Sequence, residues 1–182
     1  MKNTNHSLFD KYEMIKDLGT GSSGSVTLVR HISMDQERAL KKVPKASAFA
    51  ESALSEARLL KSLEHPSIPR IFDFEEDNAF YYIVEEYIDG ETLDSFLLHQ
   101  QLISPGLFFN ICEQLCNVFI YLHTQISTPI IYRDLKPEHI IVCHNKLKLI
   151  DFGVSAYVIQ AGNNFNHYGN IEFSAPECLT ED

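Results

Sequence analysis

Tyr132-Arg133-Asp134-Leu135-Lys136-Pro137-Glu138-His139 is the stretch on which the reading of this 182-residue chain turns. Within eight residues it gathers two carboxylates, two cations and an imidazole. Apolar runs bracket it. Ahead of it, Leu107, Ile111, Leu115, Val118 and Leu122 recur at helical spacing, and Ser104-Pro105 supplies an N-cap followed by proline at the first helical position. Behind it, residues 140–143 and 147–150 are two strand-length apolar runs joined through His144-Asn145-Lys146, a tight hairpin. Asp151-Phe152-Gly153 follows directly, and Ala175-Pro176-Glu177 comes later.

Working outward toward the N-terminus, Asp89-Gly90 marks a change of character, with a short helix expected over 93–100. Before that turn the chain reads as strands at 12–18, 25–31 and 37–43, an antiparallel meander, and then as a helix over 49–63. The helix shows Phe49, Ala53, Ala57, Leu60 and Leu63 at spacings of three and four, and His65-Pro66 stops it. Two more strands are expected at 70–74 and 79–87, with a turn at Asp77-Asn78. A strand-rich first half and a helical second half predict an α+β fold of two lobes sharing a cleft. The expected boundaries are a tail over 1–11, a first lobe over 12–88 and a second lobe over 89–182.

Between the first two strands stands Gly19-Thr20-Gly21-Ser22-Ser23-Gly24-Ser25-Val26. Glycines here let backbone N–H groups approach phosphate oxygens without side-chain obstruction. A similar glycine pattern serves dinucleotide folds, but there it joins strand to helix, and here it joins strand to strand. Lys41, on the third strand, could meet phosphate charge beneath that loop, and Glu56 on the following helix could pair with it.

Composition removes several alternatives. The chain carries 25 Asp plus Glu against 15 Lys plus Arg, a net charge of −10, and has no Lys or Arg after Lys148, so nucleic acid is a poor partner. No apolar run is long enough for a signal peptide or a membrane span, and a cytoplasmic location without membrane insertion is the default expectation. Cys112, Cys116, Cys143 and Cys178 form no CxxC pair and read as reduced, buried small apolar residues.

The glycine loop, Lys41, the stretch 132–139, Asp151-Phe152-Gly153 and Ala175-Pro176-Glu177 occur in one order and in matching contexts, and together they resemble the eukaryotic-type protein kinases, in particular the bacterial Hanks-type Ser/Thr branch. The resemblance implies a strand-rich N-lobe with one helix and a mainly helical, incomplete C-lobe. It implies ATP and Mg²⁺ as cofactors and a protein substrate. Gly19, Gly21, Gly24 and Val26 would cover ATP, Lys41 would contact its phosphates with Glu56 holding Lys41, and backbone groups of Glu86 and Tyr87 would face adenine. Asp134 would be the catalytic base, Lys136 the lysine that marks Ser/Thr specificity, and Asp151 the metal ligand.

The chain departs from that pattern in four places. His139 stands where the family has an asparagine ligand for the second metal; imidazole suits Mn²⁺ or other transition ions better than Mg²⁺, so weak activity with a Mn²⁺ preference is expected. Glu85 falls at the position behind adenine, where a buried carboxylate would compete with Glu56 for Lys41. No Ser or Thr lies between Ala156 and Phe173, so activation by phosphorylating a Ser or Thr there is not expected, and Asn170 replaces a family threonine. The family continues with further helices beyond the point reached at Asp182, so the reading expects a fragment or truncation whose exposed apolar surface is covered by a second copy or a partner. The readings are a Ser/Thr kinase core and, as the alternative, an impaired pseudokinase acting through nucleotide or partner binding.

Overall fold

The computed structural model describes residues 7–21, 24–99, 103–158 and 171–175, and these fall into two compact units. The first comprises residues 1–62 and 70–87, the second 63–69 and 88–182.

The first unit opens on a short helix, α1 (Leu8–Lys11), continues through β1 (Tyr12–Gly21), β2 (Gly24–His31) and β3 (Gln36–Pro44), and crosses by α2 (Ala50–Lys61) to β4 (Ile71–Glu76) and β5 (Phe80–Glu86). These strands make one antiparallel sheet in the order β1-β2-β3-β5-β4. Alternation along the strands gives the sheet two faces. One buries Val29, Leu40, Tyr82 and Val84 with Leu8 and Tyr12, and the other packs Val43 and Ile83 on Ala53 and Ala57 of α2. Asp77 makes the β4–β5 turn as an Asx cap: its Oδ1 accepts from the N–H groups of Ala79 and Phe80, each at 2.7 Å, and its Oδ2 accepts from the Tyr82 hydroxyl at 2.9 Å. Those backbone donors, first, hold the Asp77 carboxyl below its ordinary value.

Residues 7–11, expected as part of a tail, fold as α1. Ser7 caps it in a reciprocal box with Asp10. Leu8 is 1% exposed and its N–H donates to Glu75, while Lys11 Nζ lies 2.7 Å from Asp73 Oδ2. Four residues cannot sustain an isolated helix. Burial of Leu8 against the sheet holds this one.

The second unit contains β6 (Glu91–Thr92), α3 (Leu93–His99), α4 (Pro105–Ile120), β7 (Ile130–Ile131), β8 (Ile140–Cys143), β9 (Lys146–Leu149) and β10 (Ala156–Tyr157). Ser104 caps α4 by accepting from Leu107 N–H at 3.2 Å, with Pro105 at the first helical position. A π-helical turn at Tyr121–Gln125 extends it. β6, β8 and β9 form one small sheet and β7 pairs β10. Gly90 lies against β8, where a Cβ would stand 2.5 Å from the Val142 carbonyl oxygen. The 63–69 segment joins this unit through its own contacts: the Leu149 N–H donates to the Ser67 carbonyl at 2.8 Å, the Glu64 N–H to the Tyr121 hydroxyl at 2.8 Å, Lys148 Nζ to the Ile68 carbonyl at 3.4 Å, and the His65 ring lies tilted against Tyr121.

One expectation is corrected in this unit. Cys116 is exposed and Cys112 and Cys143 are half-buried, rather than buried apolar fillers. The reason lies in α4, which is apolar around much of its girth yet buries only Ile111 and Val118, leaving Phe108, Phe109 and Ile120 exposed beside Cys116. Among the described residues no helix is long and apolar enough to cross a membrane.

Candidate active site

Strand register assembles the first constellation. Val26 of β2 pairs Lys41 of β3, which pairs Ile83 of β5; the adjoining row is Leu28, Ala39 and Glu85. Directly opposed residues share a sheet face, so Val26, Ala39, Lys41 and Glu85 stand on the α2 side. Lys41 Nζ lies 2.9 Å from Glu56 Oε2, with the two side chains 23% and 10% exposed. Glu56 is presented there by the buried stripe Ala53, Glu56, Ala57 and Leu60 of α2. Glu85 is half-buried rather than enclosed, one diagonal step from Lys41 in the register. Lys41 bonds Glu56.

The three glycines of the loop differ in what holds them. Gly24 has φ of 140°, and a Cβ there would fall 2.1 Å from the Lys42 carbonyl oxygen, so only glycine fits where β2 crosses β3. A Cβ at Gly19 or Gly21 would meet nothing within 4 Å, which leaves the backbone open to a ligand. Ser22 and Ser23 lie outside the described residues. Two bulges in the β1–β2 register skip Ile15 and Leu18, and both side chains are exposed. Sequence periodicity carries no mark of either bulge. At the end of β5, Glu86 accepts an N–H bond from Arg70 and donates its own N–H to the Arg70 carbonyl at 2.9 Å, while Tyr87 follows half-buried.

The second constellation lies within the other unit. Asp134 Oδ2 is 3.2 Å from Lys136 Nζ and 3.4 Å from His139 Nδ1, and that nitrogen is also 3.0 Å from the Asp134 carbonyl oxygen. His139 Nε2 stands 3.2 Å from Asp151 Oδ2. His139 therefore spans both aspartates, a link the sequence does not announce, because spacings of five and twelve residues across a loop and a hairpin fix no distance. Pro137–His139 is a 3₁₀ turn, and the N–H of His139 donates to the Lys136 carbonyl at 3.0 Å.

Tyr132 and Phe152 secure this loop from below. Both are 1% exposed and meet edge to face at 5.0 Å. The Tyr132 hydroxyl donates to the Ile150 carbonyl, and Ser155 Oγ donates to the Tyr132 carbonyl at 3.1 Å. Arg133 and Asp151 have φ of 73° and 60°, left-handed conformations that cost about 1–3 kcal/mol each in a non-glycine residue and persist where surrounding contacts over-determine them. The turn leaves Asp151 half exposed, with Oδ1 accepting from Gly153 N–H at 3.2 Å and Oδ2 facing His139. Asp134, Lys136, His139 and Asp151 are thus brought together in one unit, and Lys41, Glu56 and Glu85 in the other. Pro176, Glu177, Asn170 and Cys178 lie outside the described residues.

Comparison with known proteins gives a consistent result. Residues 12–182 match the protein kinase domain family. The chain is 33% identical over 194 residues to calcium-dependent protein kinase 4 of Plasmodium falciparum, 29% identical over 176 residues to the serine/threonine-protein kinase PrkC of Bacillus subtilis, and 33% identical over 169 residues to the serine/threonine-protein kinase ppk25 of Schizosaccharomyces pombe. These alignments cover 98%, 92% and 90% of this chain but only 35%, 26% and 39% of the relatives' own lengths.

Proposed function

The chain belongs to the protein kinase family, and on that premise we propose that it transfers the γ-phosphoryl group of ATP to Ser or Thr hydroxyls of proteins. The observation that carries the reading is the ion pair of Lys41 with Glu56 at 2.9 Å, since phosphoryl transfer in this family requires that lysine held in place. Such chemistry is mostly positioning and charge neutralisation, so preorganised charges matter more than a nucleophile on the protein.

Each residue then has a role. Gly19, Gly21 and Gly24 lay backbone N–H groups over the phosphates, Val26 and Ala39 offer an apolar face to the base, and Glu86 and Tyr87 meet it with backbone groups. Lys41 neutralises phosphate charge. Asp134 accepts the proton of the substrate hydroxyl, and Lys136, 3.2 Å from that carboxylate, offers its ammonium to the transferring group. Asp151 presents a half-exposed carboxylate of the oxygen-donor type that Mg²⁺ prefers and so fits the ion the family uses, with the His139 imidazole, a nitrogen donor, 3.2 Å away. When bound, that ion would neutralise charge on the phosphates.

A protein substrate is the partner this reading requires, and the ATP-rich cytoplasm is its natural place. A second copy or another protein over the exposed Phe108, Phe109 and Ile120 of α4 is a further partner under this reading. The test is an ATP titration of the full chain beside Lys41→Met, with phosphoamino-acid analysis of a generic basic protein after incubation. Nucleotide affinity that falls about tenfold or more in the variant, with phosphate on Ser or Thr, supports the reading. Equal affinity and no phosphate would refute it.

A further inference from the structure

The segment 63–69 runs from α2 toward β4, packs within the second unit and contains a turn whose acceptor can titrate. In that turn the N–H of Ser67 donates to His65 Nδ1 at 3.1 Å, and the N–H of Ile68 donates to the His65 carbonyl at 3.0 Å. A backbone N–H only donates, so Nδ1 carries a lone pair and the hydrogen of the neutral ring sits on Nε2. Ser67 is 5% exposed, so water does not replace a lost acceptor for its N–H. From the π-helical turn, Tyr121 lies tilted against the His65 ring, 5.1 Å between centroids. Lys148 of β9, whose ammonium donates to the Ile68 carbonyl at 3.4 Å, is the charged group that acts on the imidazole, and the neighbouring Glu64 is exposed. Burial, first, and that ammonium, second, hold the His65 ring below its ordinary value.

We infer that His65 is an acid-sensitive latch: the neutral ring holds 63–69 in place, and a proton on Nδ1 releases the turn and slows phosphoryl transfer. The loss of transfer rests on the kinase reading above; the release of the turn does not. The proton arrives at the atom toward which the Ser67 N–H points. Two donors then meet head on, a buried donor loses its acceptor, and a new charge stands near Lys148. The ring swings out, and the Ser67 carbonyl shifts with the opening turn. That carbonyl accepts the Leu149 N–H at 2.8 Å, two residues before Asp151. On the other side of His65, the Glu64 N–H donates to the Tyr121 hydroxyl at 2.8 Å, three residues beyond the end of α2, the helix that presents Glu56 to Lys41. His65 is thus a positioning residue, acting on the site through the chain on either side of it. Its hold is complete above the ordinary histidine value and is lost as pH falls through the depressed folded value.

The test follows the Ser67 amide by hydrogen exchange in the full chain, corrected for the intrinsic pH dependence of exchange, while NMR titrates the His65 ring. His65→Asn and His65→Leu are measured beside it. Asparagine offers an oxygen to the N–H two residues on, as in an Asx turn, and does not titrate, whereas leucine offers no acceptor. In the native chain, Ser67 protection should fall about tenfold or more as the ring takes up its proton. It should stay level over the same range in the asparagine variant and be low at every pH in the leucine variant. Phosphoryl transfer should decline across that window more steeply in the native chain than in the asparagine variant. The native chain and the asparagine variant give the answer even if the leucine variant folds poorly. Ser67 protection that ignores the ring's titration, a ring that protonates at or above the ordinary histidine value, an asparagine variant that tracks the native decline, or transfer that stays level while protection falls would each overturn the inference. A chain that transfers no phosphate at any pH while Ser67 protection still follows the ring loses the kinase reading and keeps the hold of His65 on the turn; transfer with level protection does the reverse.

Discussion

Replacing Glu56 with alanine removes the carboxylate that lies 2.9 Å from the Lys41 ammonium. A charge-assisted hydrogen bond contributes about 1.5–3 kcal/mol, and breaking a fully buried ion pair costs about 3–5 kcal/mol. Glu56 is enclosed but the Lys41 side chain is 23% exposed, so water can partly replace the lost partner and about 2 kcal/mol is the better figure. For a chain of this size that lowers the melting temperature by about 4–8 °C. Glu56→Gln keeps the shape and one acceptor oxygen, so it should fall between the native chain and alanine in stability. Its effect on turnover is larger, because an ammonium misplaced by about 1 Å costs about 100-fold. Differential scanning calorimetry and ATP titration of the three proteins check both numbers. An alanine variant that melts within about 1 °C of the native chain and binds ATP equally well would refute the claim that this pair organises the site.

Other consequences follow from the same structure. Gly24→Ala should destabilise by about 2 kcal/mol or more, measured by urea unfolding, because the new Cβ would fall 2.1 Å from the Lys42 carbonyl at a φ that alanine rarely adopts. Leu8→Ala should cost about 2–3 kcal/mol, near the low end for a buried leucine since the four-residue α1 can relax toward the gap, and should raise proteolysis near residue 12; no change would show that α1 does not anchor the sheet. Burial first, and the Lys148 charge second, hold the His65 imidazole below its ordinary value, so the folded state favours the neutral ring. Its contribution is complete above the ordinary histidine value and is lost as pH falls through the depressed folded value. In His65→Phe the decline in urea midpoint over that window should be shallower; an identical decline would count against the assignment.

Much of the fold is legible in the sequence because burial imposes a period. The spacing of Phe49, Ala53, Ala57, Leu60 and Leu63, and of Leu107, Ile111, Leu115, Val118 and Leu122, reports most of the covered face: Phe49 is exposed, Leu107 and Leu115 are half-buried, and the other seven are buried. α1 leaves no such trace: four residues give no period, and Leu8 declares itself only by packing on Val29 and Tyr82. The bulges at Ile15 and Leu18 are equally silent, since inserting one residue leaves a strand-like composition intact. The residues of the site could be named from motif order, and their contacts could not. That His139 reaches both Asp134 and Asp151 depends on the left-handed turn at Asp151 and the 3₁₀ turn at Pro137–His139, which carry no side-chain signature. Glu85 shows the converse, since a strand position suggests burial but its depth depends on how far neighbouring elements extend over the sheet.

The central claim is phosphoryl transfer through Asp134, and intact-protein mass spectrometry tests it most directly. The full chain and a generic basic protein are incubated with ATP and either Mg²⁺ or Mn²⁺, beside Asp134→Asn, whose side chain keeps its shape but cannot take the hydroxyl proton. The account predicts the mass of an added phosphate on either protein with the native chain and none with the variant. No phosphate with either metal, or equal phosphate with the variant, would contradict it.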